Sequence, residues 1–395
     1  MTHEMTYRHT MTACWIGYVT QALINTLPPL LFLTFREAFG LPFSKITALI
    51  TVNFTVQLAV DYLSAHLLDR IGYRRAIVGA HLFNAVGLIG LAVFPAVLPS
   101  PFVGLLTAVV FYALGGGVIE VLVSPIVEAC PSDNKPAVMN LLHSFYCWGT
   151  VAVILLSTAF FAVFGRDSWR WLTCVWALLP LGNAVFFSRV PIASLTEDGA
   201  GMSAGELFRN GRFWLFAGLM FASGASELSM SQWASAFAES GLGVSKTVGD
   251  LAGPCMFAAL MGLSRVIAVR ISGKISVSRQ LGAGAILAIL SYLLASFSPS
   301  PFGALFGCAL CGFSVGVMWP GVFSMAAASF KRGGTVLFAF LALAGDLGCN
   351  LGPTTVGLVA GLFGDDLRRG VLIGAIFPVL LCVFLLFAAR RRRKP

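Results

Sequence analysis

Apolar runs of about 20 residues, each long enough to cross a bilayer as one helix, follow one another along almost the whole chain with only short polar breaks. They predict spans near residues 11–35, 44–68, 76–98, 102–127, 137–163, 169–189, 212–238, 247–271, 280–298, 302–329, 334–363 and 369–389. The expected fold is therefore all-α and polytopic, with twelve transmembrane helices. The runs are too long and too continuously apolar for the strands of a membrane barrel. Pro28, Pro29, Pro125, Pro320 and Pro353 fall inside them and predict kinks, which neighbouring helices can accommodate.

Polar residues interrupt these runs at helical spacing, which places them on shared faces. Gln21 and Asn25 stand at i, i+4 in the first span; Asn53, Gln57 and Asp61 at i, i+4, i+8 in the second; Asn140 and His143 in the fifth, continued by Tyr146 and Cys147. The later spans carry Ser223, Glu227 and Ser231 on one face and Asp346 and Asn350 on another. Two readings are open for each stripe: hydrogen-bonded glue between helices, or the lining of a wet cavity. A carboxylate or imidazole in the stripe favours the cavity. Glu120, in the middle of the apolar run 103–127, is the sharpest of these. A charge at that depth costs several kcal/mol on most scales, and burial disfavours its ionised form, so it suits binding and release of a proton; its structural alternative is a permanent hydrogen bond to Asn140 or Tyr146. His143 adds a second group that titrates near neutral pH, or else packs as a satisfied histidine. Arg265, inside the eighth span, is expected to pair with Asp346 or Glu227, since an unpaired guanidinium there would be very costly.

Composition agrees with a membrane protein: 57% of the 395 residues are hydrophobic and only 11% charged, against roughly 25% charged in soluble domains. Lys and Arg gather in the segments that face inward if the N-terminus is inside, among them Arg70, Arg74 and Arg75, Arg189, Arg209 and Arg212, and the terminal run 390–394. The net charge of +9 is thus mainly a topology signal, with both termini expected on the cytoplasmic side of the cell's inner membrane. Residues 1–10 show no signal-peptide cleavage pattern, so the first apolar segment should be retained as a helix. The nine cysteines are scattered through apolar runs and read as small buried hydrophobes; Cys308 and Cys311 have the spacing of a redox pair but no partner cluster.

The longest polar connection, 191–211, divides the chain into a six-span half at 1–190 and a second at 212–395 with its basic tail. A weak echo supports the division: Gly117 to Pro125 in the fourth span and Gly312 to Pro320 in the tenth both run Gly to Pro eight residues apart. Parallel six-helix halves with a substrate site near the midplane are the architecture of major facilitator transporters. The loop Asp69-Arg70-Ile-Gly72-Tyr-Arg74-Arg75 resembles the signature of that superfamily between its second and third helices, departing at Ala65 and Tyr73. The resemblance implies that Asp69, Arg70, Gly72 and Arg74 form a gating loop; the alternative is a basic inner turn. Within the superfamily, Gly116-Gly-Val-Ile-Glu120 to Pro125, Asn140-Leu-Leu-His143-Ser-Phe145 to Gly149, Gly224-Ala-Ser-Glu227 with Trp233, and Trp319-Pro320 with Phe323 and Ser324 are similar to segments of the fucose-proton symporter family of sugar transporters. That similarity implies a double role for Glu120, holding the coupling proton and the sugar hydroxyls.

The expectation that follows is a cation-coupled importer of a sugar or similar hydroxylated solute. Glu120, His143, Glu227 and Asp346 are its candidate proton sites; Gln21, Asn25, Asn53, Gln57, Asn140, Tyr146, Trp233, Trp319 and Asn350 join Glu120, His143 and Glu227 as candidate substrate ligands. The resembled sugar symporters can carry an Asp in the first helix where this chain offers only Gln21, Asn25 and Thr26, which leaves sodium coupling or uniport open. The alternative is proton-driven efflux of drugs or metabolites, suggested by the exporter-like run Gly345 to Gly357. The expected partners are the solute, protons or sodium, and lipids. We expect a monomer with no nucleic acid, cofactor, metal or enzymatic activity.

Overall fold

The computed structural model describes residues 5–131, 135–192, 202–271, 274–330 and 334–392. They are helical almost throughout, with no strand among them. The chain divides into two compact units, Met1–Lys45 with Val52–Glu197, and Ile46–Thr51 with Asp198–Pro395. The boundary thus falls inside the long polar connection, and the second unit also takes in one short stretch of the second helix.

The first unit is built from α1 (Tyr7–Phe39), α2 (Phe43–Ile71), α3 (Tyr73–Val97), α4 (Pro101–Ala129), α5 (Lys135–Phe164) and α6 (Trp169–Arg189). The second begins with a short α7 (Ala204–Arg209) inside the polar connection 191–211; Ser203 and Glu206 cap it reciprocally. Then come α8 (Gly211–Ser231), α9 (Ala234–Ala236) with a π-helical turn at Phe237–Gly241, and α10 (Lys246–Asp250), which runs through a second π turn at Leu251–Cys255 into α11 (Met256–Ile271). The remainder is α12 (Val277–Phe297), α13 (Pro301–Val315), α14 (Met318–Ser329), α15 (Gly334–Leu362), α16 (Leu367–Gly374) and α17 (Ile376–Arg392). Eleven segments among the described residues are long and apolar enough to cross a bilayer. The seventh expected span is the exception, because Ser223, Ser226, Glu227 and Ser229 dilute the apolarity of α8.

Helix pairing repeats between the units. In the first, α1 packs on α5 and α3 on both α4 and α6; in the second, α8 packs on α15, and α12 on α13, α16 and α17. These are the same partnerships of first with fifth, third with fourth and third with sixth span. The repeat extends to local chemistry. Ser100-Pro101-Phe102 opens α4 and Ser300-Pro301-Phe302 opens α13, each Ser accepting a backbone N–H, from Val103 and Gly303 respectively, and each Pro filling the first helical position.

Small residues set how closely the helices approach, as is common where lipid supplies no hydrophobic drive between helices. Gly348 lies against the Phe221 carbonyl and Gly352 against Ala225, so these two glycines seat α15 on α8, while Gly345 accommodates Trp319 and Gly357 accommodates Trp233. The prolines act unequally. α1, α4 and α15 continue through Pro28, Pro29, Pro125 and Pro353, whereas the tenth span breaks at Gly316 and Val317, just before Pro320.

Gly72 is the single-residue joint between α2 and α3. Its φ of +86° lies in a region that L side chains rarely adopt. Beyond it, Arg74 ties the start of α3 to the end of α6 by donating from Nη1 to the carbonyls of Phe187 (3.0 Å) and Ser188 (2.9 Å). We expect Gly72→Ala to cost about 1–3 kcal/mol through backbone strain, read as a lowered unfolding temperature of the detergent-purified protein; an unchanged midpoint contradicts it.

Candidate functional site

In the first unit the amide stripes of α1 and α2 meet each other and Glu120. The Gln21 amide donates to Glu120 Oε2 (2.9 Å) and to Gln57 Oε1 (3.1 Å). Gln57 Nε2 in turn donates to Asn25 Oδ1 (3.1 Å) and Asn53 Oδ1 (2.9 Å), and Asn53 Nδ2 reaches Asn25 Oδ1 at 3.4 Å. All four amides are buried, while Glu120 is half-buried. One connected network therefore ends on a carboxylate.

Glycines make the network possible. A Cβ on Gly116 would run into the side chain of Ile24 and lie 3.0 Å from Gln21 Oε1; one on Gly117 would lie 2.8 Å from Val60 Cβ and 3.2 Å from Gln57 Cα. The backbone of α4 thus lies directly against α1 and α2 one turn before Glu120, and carries the carboxylate to the amides.

His143 is exposed and meets the Tyr18 ring edge-on at 5.2 Å. Tyr18 is itself hydrogen-bonded to Ser124, one turn beyond Glu120 (3.0 Å). Tyr146 is half-buried beside the apolar core of the unit. The side chains of Asn140, Asp69 and Arg70 lie outside the described residues.

The second unit holds the other candidates. Glu227 is buried on α8 and feels the attraction of the Arg265 guanidinium. Arg265 Nε also donates to the Gly316 carbonyl (3.2 Å). The reason is local: in an unbroken helix that carbonyl would take the N–H of residue 320, and Pro320 has none. The guanidinium supplies the missing donor. Asp346 is half-buried on α15, and Trp319 lies over its neighbour Gly345 and beside Phe323, with ring centroids 6.2 Å apart. Asn350 donates to the Thr51 carbonyl (3.2 Å). Trp233 is fully buried with its indole N–H on the Pro353 carbonyl (2.9 Å), so in this structure it packs the unit and offers no open face to a solute.

The sequence matches the Major Facilitator Superfamily over residues 14–353. The chain belongs to that superfamily. It is 26% identical over 293 residues to the membrane protein MosC of Rhizobium meliloti, a stretch that is 73% of this chain and 70% of that protein. Among solved structures, its fold is similar to that of a bacterial homologue of the human lysosomal transporter Spinster (TM-score 0.79, 15% identity, 97% of each chain). It is also similar to a D-xylose-proton symporter (0.79, 13% identity, 96% of this chain and 97% of that one) and to the E. coli fucose-proton symporter FucP (0.64, 14%, 95% and 98%). These likenesses show the fold, and with the family they make this facilitator protein a multi-pass membrane transporter.

Two polar groups escaped the sequence reading. His81, Asn84 and Asn183 are buried in the first unit, with His81 Nδ1 2.7 Å from the Ile77 carbonyl and Nε2 2.8 Å from the Asn183 amide, which also donates to the Ala13 carbonyl. The i, i+3 spacing of His81 and Asn84 was the available signal. In the second unit Asp250 is buried between Ser235 Oγ (2.5 Å) and Lys246 Nζ (2.9 Å), at a position that falls between the two π turns in sequence. Its signal was the i, i+4 spacing of Lys246 and Asp250, hidden because Lys246 reads as a loop charge.

The break at Pro320 yields a direct test. Arg265→Met strands the Gly316 carbonyl, an expected loss of about 1–3 kcal/mol, and Pro320→Ala in the same background returns a backbone N–H and recovers most of it. Thermal unfolding of the wild type, Arg265→Met, Pro320→Ala and the double variant decides the matter; a double variant no more stable than Arg265→Met shows that the guanidinium stabilises the unit by another route.

Proposed function

We propose that this facilitator protein is a proton-coupled importer of a sugar or similar small hydroxylated solute, working by alternating access, with Glu120 as the site of the coupling proton. The observation that carries the reading is the connected network of Gln21, Gln57, Asn25 and Asn53 that ends on the Glu120 carboxylate. Magnitudes argue against glue as the whole explanation. Interhelical hydrogen bonds inside membranes average about 0.6 kcal/mol each, whereas an acidic residue at the bilayer centre costs about 2.5–3.5 kcal/mol even on the mildest scales. A carboxylate that costs more than its bonds return needs a chemical use. Amides that both donate and accept suit hydroxyl groups, and sugar-proton symporters are among the proteins that share the fold.

In this reading both termini face the cytoplasm, as the inner Lys and Arg require, and the chain acts as a monomer in the inner membrane. His143, Glu227 and Asp346 are secondary titratable groups. The loop from Asp69 through Gly72 to Arg74 closes the inner side. A second reading, proton-driven efflux, draws on the exporter-like glycines of 345–357, but each is already occupied in packing: Gly345 against Trp319, Gly348 and Gly352 against α8, and Gly357 against Trp233.

The test is transport in proteoliposomes, with xylose, fucose and a nucleoside as first probes under an imposed pH gradient and, separately, a sodium gradient. Glu120→Gln is expected to abolish pH-driven uptake while solute exchange at equal pH persists at least in part. Uptake that still follows the pH gradient in the variant removes Glu120 from coupling. The two directions are separated by a screen of drug susceptibility in cells lacking the protein, where unchanged sensitivity is expected for an importer and increased sensitivity would favour efflux.

A further inference from the structure

The amide network has a property beyond joining α1, α2 and α4. Gln21 uses its Nε2 for both of its bonds, one to Glu120 and one to Gln57, while its buried Oε1 has no partner among the described residues. Gln57 likewise points its Nε2 at two acceptors and its Oε1 at Gln21. Each amide is therefore committed to one orientation by its neighbour, and the first commitment is made by Glu120, which as a carboxylate can only accept.

A proton placed on Glu120 Oε2, the oxygen that Gln21 holds, turns that acceptor into a donor. The natural partner for the new O–H is an amide oxygen in the place where Gln21 now presents its nitrogen. If the Gln21 amide turns over, its oxygen faces Gln57 Oε1, and two acceptors cannot share a hydrogen bond. Gln57 must then turn as well, presenting Nε2 to Gln21 and Oε1 to Asn25 and Asn53. Those two respond by offering their nitrogens. The inverted network keeps the same five links seen here, each with donor and acceptor exchanged. An amide occupies nearly the same shape either way round, so inversion needs no repacking of the helices.

We propose that Gln21 and Gln57 are positioning residues that relay the proton occupancy of Glu120 to Asn25 and Asn53, so that the far end of the network offers a solute opposite hydrogen-bonding polarity in the two protonation states. This deepens the transport reading and rests on it for its biological use. It supplies a physical link between a proton and a solute hydroxyl that need not touch the same atom.

The relay can be tested without any solute. Among the described residues, titratable side chains on the helices of this part of the unit include Cys14 and Tyr18 on α1, Asp61 on α2, His81 on α3, Tyr112 on α4, and His143, Tyr146 and Cys147 on α5. The readout must therefore be specific to Glu120. In the full-length purified protein, the infrared band of its protonated carboxyl is identified by its loss in Glu120→Gln and followed against pH. Asn53→Leu, or Asn53→Ser if the first does not fold, makes no change at Glu120 or at Gln21. The relay nevertheless requires it to displace the midpoint of the Glu120 band by about half a pH unit, roughly a threefold change in proton affinity. In a Gln57→Met background, which keeps the volume but removes the amide, the same substitution should displace it by less than about a fifth of that amount. Equal displacement in both backgrounds, or none in either, overturns the relay. If the relay is lost but Glu120→Gln still abolishes pH-driven uptake, the transport reading stands alone; if the relay holds but no solute moves, the transport reading falls alone. A Glu120 band that never changes with pH overturns both.

Discussion

A polar group inside hydrocarbon cannot turn to water, so each one must find its partner within the protein. Nearly every feature of this chain follows from how that requirement is met. It makes the spans helical, because a helix serves its own backbone. It also makes close approach valuable, since Gln21 can serve Glu120 and Gln57 at once only if three helices come within side-chain reach of one another. Gly116 and Gly117 allow that reach, and without them the carboxylate of α4 would be held away from the amides of α1 and α2 by its own helix.

The same requirement explains the different fates of the prolines. At Pro320 the chain breaks, and the carbonyl that the missing N–H leaves behind is served from another helix by Arg265. Where the tenth span yields, the fourth does not: Pro125 sits near the end of a continuous helix, while the glycines before it are occupied in packing. Two halves that repeat the same helix partnerships, and even the same Ser-Pro-Phe opening of the fourth and tenth spans, have thus specialised in different places.

Much of this was legible in the sequence, and the limits have a common cause. Run lengths revealed the spans, because a bilayer fixes how many apolar residues a helix needs. The i, i+4 spacings of Gln21 with Asn25 and of Asn53 with Gln57 revealed which side chains share a face. What spacing cannot reveal is which faces meet. Helical spacing suggests Asn140 or Tyr146 as a partner for Glu120 and says nothing of Gln21, whose amide donates to it, because the glycine contact that brings α1 to α4 leaves no trace in periodicity. Arg265 was expected to seek a carboxylate and is also bonded to a carbonyl, a partner that becomes visible only once Pro320 is seen to orphan it. Trp233 is a candidate substrate ligand by sequence, but its wholly buried indole, with the N–H engaged, is a wedge. In each case the sequence carried the chemistry and tertiary contact chose the partner.

The carbonyl at Gly316 has one more implication. An ordinary helix holds its shape with its own bonds, whatever its neighbours do. The tenth span does not, because at its bend the restraining bond ends on a side chain of α11. The bend of the tenth span thus shares a bond with the eighth, and the group that supplies it is a guanidinium that also lies within the electrostatic reach of Glu227, so a charge on one helix bears on the shape of another that carries none of its own.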